Sequence, residues 1–156
     1  MDIRVRNLII WSSIFAFTFL LSFILFLARP GRAQTYVLFF PSEVSNEWIG
    51  EARSIYHTRE TEESVLAMLK ELALGPIGLR LEPAVPKGTG VRSVLLRDKT
   101  LYIDFTAHLA VLHQTLKVPF SEMLEGIRKS VFINFPSVKE ILIYVEGSLA
   151  DQFQET

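Results

Sequence analysis

An aspartate and a histidine lie four residues apart in the segment LYIDFTAHL, residues 101–109. A carboxylate and an imidazole within hydrogen-bonding reach can act as a general acid–base pair, so Asp104 and His108 could support hydrolysis. The alternation of the segment places Asp104 on the polar face of a strand, whereas His108 follows the strand end. Asp104 is therefore expected to bond nearby backbone amides. The hydrolase hypothesis requires the two side chains within about 3.2 Å of each other in a pocket.

Other patterns that could carry chemistry are incomplete. His108 and His113 would lie about 140° apart around a helix, whereas zinc-binding pairs sit at i and i+4. The chain has no cysteine, which excludes disulfides, thiolate catalysis and Cys-based zinc sites. The segment Gly88-Thr89-Gly90 precedes a strand, unlike a phosphate-binding loop, and no GxSxG motif is present. We therefore expect no catalytic, cofactor-binding or metal-binding residues and no small-molecule substrate.

Three positions remain as candidates for structural or interaction roles: Arg53, Asp104 and Trp48. Arg53 lies in a segment without clear periodicity and is predicted to pair with a carboxylate, either Asp104 or Glu146. The alternative is a contact with a partner protein, because arginine is enriched at the centres of interfaces. A glycan-binding module would instead need an exposed aromatic platform. Its candidate residues are Trp48, Tyr56 and Tyr102.

The N-terminus carries a segment that could cross a membrane. Residues 8–28 contain no charge, and a helix of that length spans roughly 31 Å, enough for a hydrocarbon core. The hydroxyl groups within it can bond back to the helix backbone. A permanent anchor is favoured over a leader cleaved after Ala33, because a signal peptide has an apolar run of only about 7–15 residues. The basic leader, residues 1–7, favours a cytoplasmic N-terminus and an exported C-terminal domain.

The remainder of the chain is mildly acidic. Residues 35–156 carry 12 Lys or Arg and 16 Asp or Glu, a net charge of −4. This balance argues against a nucleic-acid partner, which would require a basic face. It also argues against binding of this domain to an anionic bilayer. Contact with the membrane is expected through residues 8–28 alone.

The sequence predicts a linker over residues 29–35, a domain over residues 36–150 and a polar tail over residues 151–156. Four β-rich runs are predicted as strands: residues 35–40, 91–96, 101–105 and 139–145. Residues 41–60 are interpreted as irregular and polar, with Trp48 and Tyr56 as anchors to the core. Asp98-Lys99 is a poor two-residue turn, because Lys99 would need a positive φ, so a longer loop is expected there.

Two amphipathic helices are predicted, each with an apolar stripe. The first begins with Thr61 as its N-cap and ends at Gly75, and the second begins with Ser121 as its N-cap and ends near Asn134. A short helix and a connection are expected over residues 106–118. The order β-α-β-β-α-β predicts an α+β fold. It would be a small mixed sheet of about four strands with two main helices on one face, preceded by one transmembrane helix.

This layout resembles the GerMN domain family of sporulation and spore germination proteins. The segments that carry the likeness are VLFF, Arg53, LKELALGP, VPKGTGVRSV, YIDFTAHL and VFINFPSVKEILIYVEG, in that order. The resemblance covers about residues 36–150. It implies an extracytoplasmic, non-enzymatic module of the kind that helps to build envelope-spanning assemblies. The family fold is similar to the small α/β modules of secretion-system rings.

The sequence departs from the family in two ways. It has one copy of the domain where the germination protein carries two, and it has a membrane segment without a lipid-bearing cysteine. A role in sporulation is therefore not carried over. The expected function is a membrane-anchored interaction or scaffold module of the bacterial cell envelope, which binds other envelope proteins or itself without catalysis. Pairing at an open sheet edge is one possible mode. The alternatives are a cell-wall glycan-binding module and the Asp104–His108 hydrolase.

Overall fold

The computed structural model describes residues 3–27, 32–45 and 47–155, which belong to two units, Met1–Gly31 and Arg32–Thr156. The first unit is helix α1, Ile3–Leu27. By length and composition it could cross a membrane over Ile3–Phe26, so the apolar helix begins five residues before the predicted span. Two of its hydroxyls bond back to the backbone as expected, Ser13 to the Ile9 carbonyl and Thr18 to the Ile14 carbonyl. The predicted linker lies partly outside the described residues.

The second unit opens with a long antiparallel hairpin. Strand β1, Arg32–Pro41, pairs along its whole length with strand β2, Trp48–His57. The interpretation of residues 41–60 as irregular is therefore wrong over most of that segment. The inward positions of β2 include Glu51 and Arg53, so the strand lacks the apolar alternation by which strands are recognised.

A four-stranded sheet follows, in the order β3-β4-β5-β6. Its strands are β3 Val91–Arg97, β4 Thr100–Phe105, β5 Glu140–Val145 and β6 Ser148–Leu149. The sheet is mixed, because β4 and β5 are parallel and the other pairs are antiparallel. The turn between β3 and β4 has only two residues, Asp98 and Lys99, and both have positive φ. The prediction of a longer loop is therefore wrong. The chain forms a tight type I′ turn, although a positive φ is energetically unfavourable for Lys99.

Three helices accompany the sheets: α2 Thr61–Leu74, α3 His108–Val111 and α4 Phe120–Asn134. The predictions of Thr61 and Ser121 as N-caps are both wrong. Thr61 and Ser121 lie inside helices that begin after Glu60 and Pro119, and neither helix has a side-chain cap. Gly75 ends α2 with a φ of 89°, as predicted. Short 3₁₀ turns cover His113–Thr115 and Ala150–Glu155.

The core lies between the helices and the inner faces of the sheets. Both predicted helical stripes are buried, and so are alternate residues of β1, β4 and β5. Fully buried members include Leu38, Leu69, Ile103, Leu124 and Ile127. The α+β class, with an N-terminal apolar helix and helices packed on sheets, is confirmed. The hairpin forms its own two-stranded sheet beside the four-stranded one.

Candidate functional site

Trp48 packs directly on the middle of helix α4. A Cβ atom built on Gly126 would lie 2.2 Å from two ring carbons of Trp48, Cη2 and Cζ3. The indole therefore occupies the space that any side chain at position 126 would fill. Trp48 is half-buried and packs against the core, which agrees with its predicted role as an anchor, whereas Tyr56 is exposed and is not among the residues that pack there.

An apolar groove lies beside this contact. It is open to solvent and has a volume of about 500 Å³ between the hairpin and α4. Its lining residues are Phe39, Trp48, Glu125, Gly126, Arg128, Lys129, Phe132 and Ile133. Phe132 and Ile133 are exposed large hydrophobic residues, and the Lys129 ammonium lies 4.3 Å from the centre of the Phe39 ring. Because water contacts this much aromatic and aliphatic surface, covering the groove is favourable.

Polar side chains of α4 fix the helix against the hairpin. Asn134 accepts a hydrogen bond from the Val37 amide (2.9 Å) and donates one to the Val37 carbonyl (2.7 Å). Ser130 accepts one from the Phe39 amide (3.0 Å). These bonds replace the ladder that a further strand would form, so the edge of β1 is already satisfied at these two residues. The same bonds hold Phe39 in the wall of the groove.

On the other side of Trp48 lies a second, more polar cavity of about 370 Å³. Three glutamates line it, Glu43, Glu82 and Glu122, together with Lys117. Lys117 donates to Glu82, and this hydrogen bond raises the pKa of the lysine. Glu122, Gly126, Lys129 and Ile133 follow one another at helical spacing. One face of α4 thus lines both cavities, with Trp48 between them.

Arg53 is buried and pairs with carboxylates, as predicted, but these are not Asp104 or Glu146. Its guanidinium donates to Glu51 (2.6 and 2.8 Å) and Glu71 (3.2 Å), and to the Gly75 carbonyl (2.7 Å). Glu51 also accepts from the amides of Ile77 and Gly78. We call Arg53, Glu51 and Glu71 the buried clamp. Burial alone would raise the pKa of Glu51, but the Gly78 amide, Arg53 and the Ile77 amide outweigh it, so the pKa is lowered.

Asp104 is occupied by structural bonds. It accepts hydrogen bonds from the Gly147 amide and from Arg92, both at 3.1 Å. Arg92 also binds Glu146 at 3.0 Å. The arginine that pairs with Asp104 and Glu146 is therefore Arg92, and not Arg53 as the sequence predicted. His108 is exposed, and within the described part of the chain it makes no hydrogen bond with Asp104. The geometric condition of the hydrolase hypothesis is not met.

The other two histidines have local partners. His57 Nδ1 bonds the Tyr36 hydroxyl at 2.5 Å, and burial raises the pKa of this tyrosine, with a hydrogen bond to Ser64 opposing the rise. His113 bonds the Ala110 carbonyl and stacks edge-on against Phe120. Over residues 3–27, 32–45 and 47–155, no group of three His, Asp or Glu residues is placed to hold a metal.

The three aromatic candidates for a glycan platform lie on different elements or far apart. Trp48 and Tyr56 are at opposite ends of β2, roughly 26 Å apart at the rise of a strand. Tyr102 lies on β4 of the other sheet, in register with Leu95 and Leu142 on the neighbouring strands. The structure therefore does not bring these rings together.

Sequence reasoning missed Gly126, although a glycine inside an amphipathic helix is itself a signal of close approach by another group. It also missed Ile77 and Leu79, two exposed apolar residues in the loop after α2. Their exposure cannot be read from the pattern, because the segment GPIGLRLEP, residues 75–83, has the apolar content of a buried segment.

Comparison with known proteins relates this domain to one family. Residues 37–151 match the family described as Germane: sporulation and spore germination. No curated protein matches the chain. The first GerMN domain of the sporulation protein GerM from Bacillus subtilis is similar in structure, with a TM-score of 0.56 and 12% identity, over 74% of this chain and 85% of that one. The tandem GerMN domains of the same protein are similar with a TM-score of 0.57 and 12% sequence identity, over 76% of this chain and 41% of that one. At this identity the structural likeness concerns the fold alone.

Proposed function

Because the chain belongs to the Germane family of sporulation and spore germination domains, we propose that it is a membrane-anchored interaction module of the bacterial cell envelope. In this proposal α1 anchors the chain, and the domain from Arg32 onward lies outside the cytoplasm. The domain binds other proteins by surface complementarity and turns over no substrate. The proposal assigns the chain no role in sporulation.

The observation that carries the proposal is the apolar groove framed by Trp48 and Gly126. Tryptophan is enriched at the centres of protein interfaces, where it supplies a large and rigid contact surface. Here the ring is held against α4, so little side-chain freedom remains to be lost on binding. A folded domain gains nothing from leaving Phe132 and Ile133 exposed beside it.

The free energy gained by covering the apolar residues of the groove is of the size that a protein–protein contact provides. Full burial of a Phe or Ile side chain is worth about 1.5–3 kcal/mol. Phe132 and Ile133 are 41% and 59% exposed, so each can gain about half of that value when a partner covers it beside Trp48, within the charged rim of Glu125 and Lys129. The aliphatic and aromatic lining offers few fixed polar groups to orient a small substrate.

The occupied state of the polar candidates supports a non-catalytic role. The two oxygens of Asp104 are bonded to Arg92 and Gly147, and Arg53 is turned into the domain. A general base needs a free acceptor directed into a cleft. Arg53 and Asp104 therefore serve to join structural elements.

Site-specific photocrosslinking tests the proposal. The full-length chain would carry p-benzoylphenylalanine at Phe132 in the groove or, as a matched control, at Leu95 on the outer face of β3. We expect discrete protein adducts in intact membranes from position 132, lost when Gly126→Ala moves the indole, and none from position 95. A folded and abundant protein that gives no adduct at position 132 would contradict the proposal.

A further inference from the structure

The end of α2 and the loop after it carry a second apolar feature. Three aliphatic side chains lie there close together in the sequence, Leu74, Ile77 and Leu79, and their exposed fractions are 71%, 76% and 98%. We call these three residues the aliphatic tip. None of them is among the described residues that pack against the core. Aliphatic side chains exposed to this extent mark a surface that another apolar surface covers.

The buried clamp fixes the backbone that carries the aliphatic tip. Glu51 accepts hydrogen bonds from the amides of Ile77 (3.1 Å) and Gly78 (2.9 Å), and Arg53 donates one to the Gly75 carbonyl (2.7 Å). Burying the Arg53 guanidinium is costly and is repaid only by good geometry and additional hydrogen bonds. The fold therefore uses a buried ion cluster to hold apolar side chains out in water.

The far end of the loop is fixed as well. The Glu43 amide donates a hydrogen bond to the Arg80 carbonyl (2.9 Å), and the Glu82 amide donates one to the Pro41 carbonyl (2.8 Å). Leu79 thus lies between two anchored stretches of backbone, and these bonds would have to break before it could fold back onto the core. Little conformational entropy remains to be lost when the aliphatic tip is covered.

Charges of both signs surround the aliphatic tip. Arg80 directly follows it in the sequence and is exposed, and Lys70 lies one helical turn before it on the surface of α2. Glu43 is also exposed, whereas both carboxylates of the buried clamp face Arg53. This mixture favours neither an anionic nor a cationic surface. It matches a zwitterionic lipid headgroup, whose phosphate can meet the two cations and whose ammonium can meet Glu43.

The composition of the aliphatic tip favours lipid over a protein partner. Leucine is under-represented among the hot spots of protein interfaces, where tryptophan, tyrosine and arginine dominate. A protein partner requires a complementary shape, whereas the interface of a bilayer accepts any apolar side chain that reaches it. The groove beside Trp48 has the opposite character, with aromatic rings and a defined shape.

The candidate anchor keeps the domain where a contact with lipid can form. Only residues 28–31 separate α1, Ile3–Leu27, from β1, Arg32–Pro41, and a chain of that length reaches roughly 18 Å when fully extended. In the proposed function α1 spans the bilayer, so the domain stays beside the bilayer surface in any orientation. Tethering raises the effective concentration of that surface, so a small contact can be effective.

We propose that the aliphatic tip inserts into the surface of the same phospholipid bilayer, with Ile77 and Leu79 below the headgroups and Arg80 at the phosphates. The long side chains of Arg80 and Lys70 reach the headgroups while their stems cover apolar surface. This contact would replace the expectation that residues 8–28 alone touch the membrane. The inference goes beyond the proposed function and rests on it only for the anchoring through α1.

Fluorescence quenching in defined vesicles tests the contact, and the absence of cysteine makes labelling specific. The full-length chain with Leu79→Cys, labelled with the dye NBD, would be reconstituted in phosphatidylcholine vesicles. A fraction of the lipid carries a nitroxide near the top of its acyl chain, which quenches dye molecules at that depth. The matched control is Leu95→Cys, at an exposed leucine on the outer face of the four-stranded sheet.

We expect the nitroxide to quench the label at position 79 several-fold more strongly than the label at position 95. Adding Leu74→Gln and Ile77→Gln to the Leu79→Cys chain should return quenching to the control level, because two apolar side chains are lost. Both replaced side chains are exposed, so the fold should be retained, which circular dichroism checks. Added phosphatidylglycerol should leave the ratio unchanged, since the driving force is apolar.

Equal quenching at positions 79 and 95, in a chain that floats with the vesicles, would overturn the proposal. A label at position 79 that is shielded from water without being quenched would also overturn it, because a second copy would then be the occupant. Quenching that appears only with phosphatidylglycerol would overturn it too, since the cations alone would then hold the contact.

The failure of this inference can be distinguished from the failure of the proposed function. Loss of the quenching contrast leaves photocrosslinking from the groove unaffected. A chain that does not float with the vesicles would overturn the anchoring through α1, on which both proposals rest.

Discussion

Among the arginines that each bind two carboxylates, Arg53 and Arg92 have contrasting surroundings. Arg53, with a side chain 8% exposed, joins Glu51 and Glu71 inside the hairpin region. Arg92, 44% exposed, joins Asp104 and Glu146 at the ends of strands in the four-stranded sheet. The buried group also binds three backbone groups of the loop after α2. The exposed group binds two backbone amides, those of Gly147 and Ala107, but its ion pairs are screened by water. The comparison teaches that burial, more than ion-pair chemistry, decides how strongly such a cluster organises the chain.

Removal of the buried arginine should have the largest effect. Arg53→Met keeps most of the apolar stem but leaves Glu51 without its cation in a partly buried site, so we expect a loss of about 3 kcal/mol in unfolding free energy. Urea denaturation of the full-length protein in detergent measures it. A loss below about 1 kcal/mol would mean that the buried clamp behaves like a surface pair.

Low pH should weaken the buried clamp by protonating Glu51. The pKa of Glu51 is lowered by folding, so its contribution to stability is complete above the usual value of 4.5 and is lost as the pH falls through the lower folded value. Glu51→Gln should therefore flatten the decline of stability below about pH 5. Denaturation midpoints at several pH values measure this slope. Glu63→Gln, at an exposed position outside the clamp, controls for the loss of one charge, and an equal flattening there would refute the assignment.

The exposed arginine should matter little. Arg92→Met removes both surface pairs, and we expect a loss of no more than about 1 kcal/mol in unfolding free energy. High salt should further reduce the difference between this variant and the wild type. A loss as large as that of Arg53→Met would erase the contrast between the two clusters.

The smallest effect on stability is expected from Gly126→Ala. Unlike the arginine variants, it should change binding in the groove and leave the unfolding free energy almost unchanged. The added Cβ overlaps the Trp48 ring, but the far end of the indole can swing into the groove. That cost is offset by the helix preference of Ala over Gly, about 1 kcal/mol. The unfolding free energy should therefore change by less than about 1 kcal/mol, while photocrosslinking at position 132 is lost. Unfolding beyond that limit would show that the indole cannot move.

The sequence alone determined the elements whose signals are local and periodic. The stripes of α2 and α4 and the alternation of β4 and β5 predict those elements because one apolar face must be buried. The uncharged run of α1 predicts a helix because it is long enough to cross a hydrocarbon core. The order of the elements also predicted the α+β class and the resemblance to the family that residues 37–151 match. The general statement that Arg53 would pair with a carboxylate followed from the cost of burying a charge.

Tertiary structure alone decided the rest. Strand β2 could not be recognised, because its inward Glu51 and Arg53 are tolerated only through each other and through the loop at Ile77 and Gly78. The N-caps failed at Thr61 and Ser121, since Glu60 and Pro119 hold the positions that begin these helices. The groove exists because Trp48 meets Gly126 across 78 residues of chain. Contacts at such separation depend on how the elements pack, and no local pattern records that.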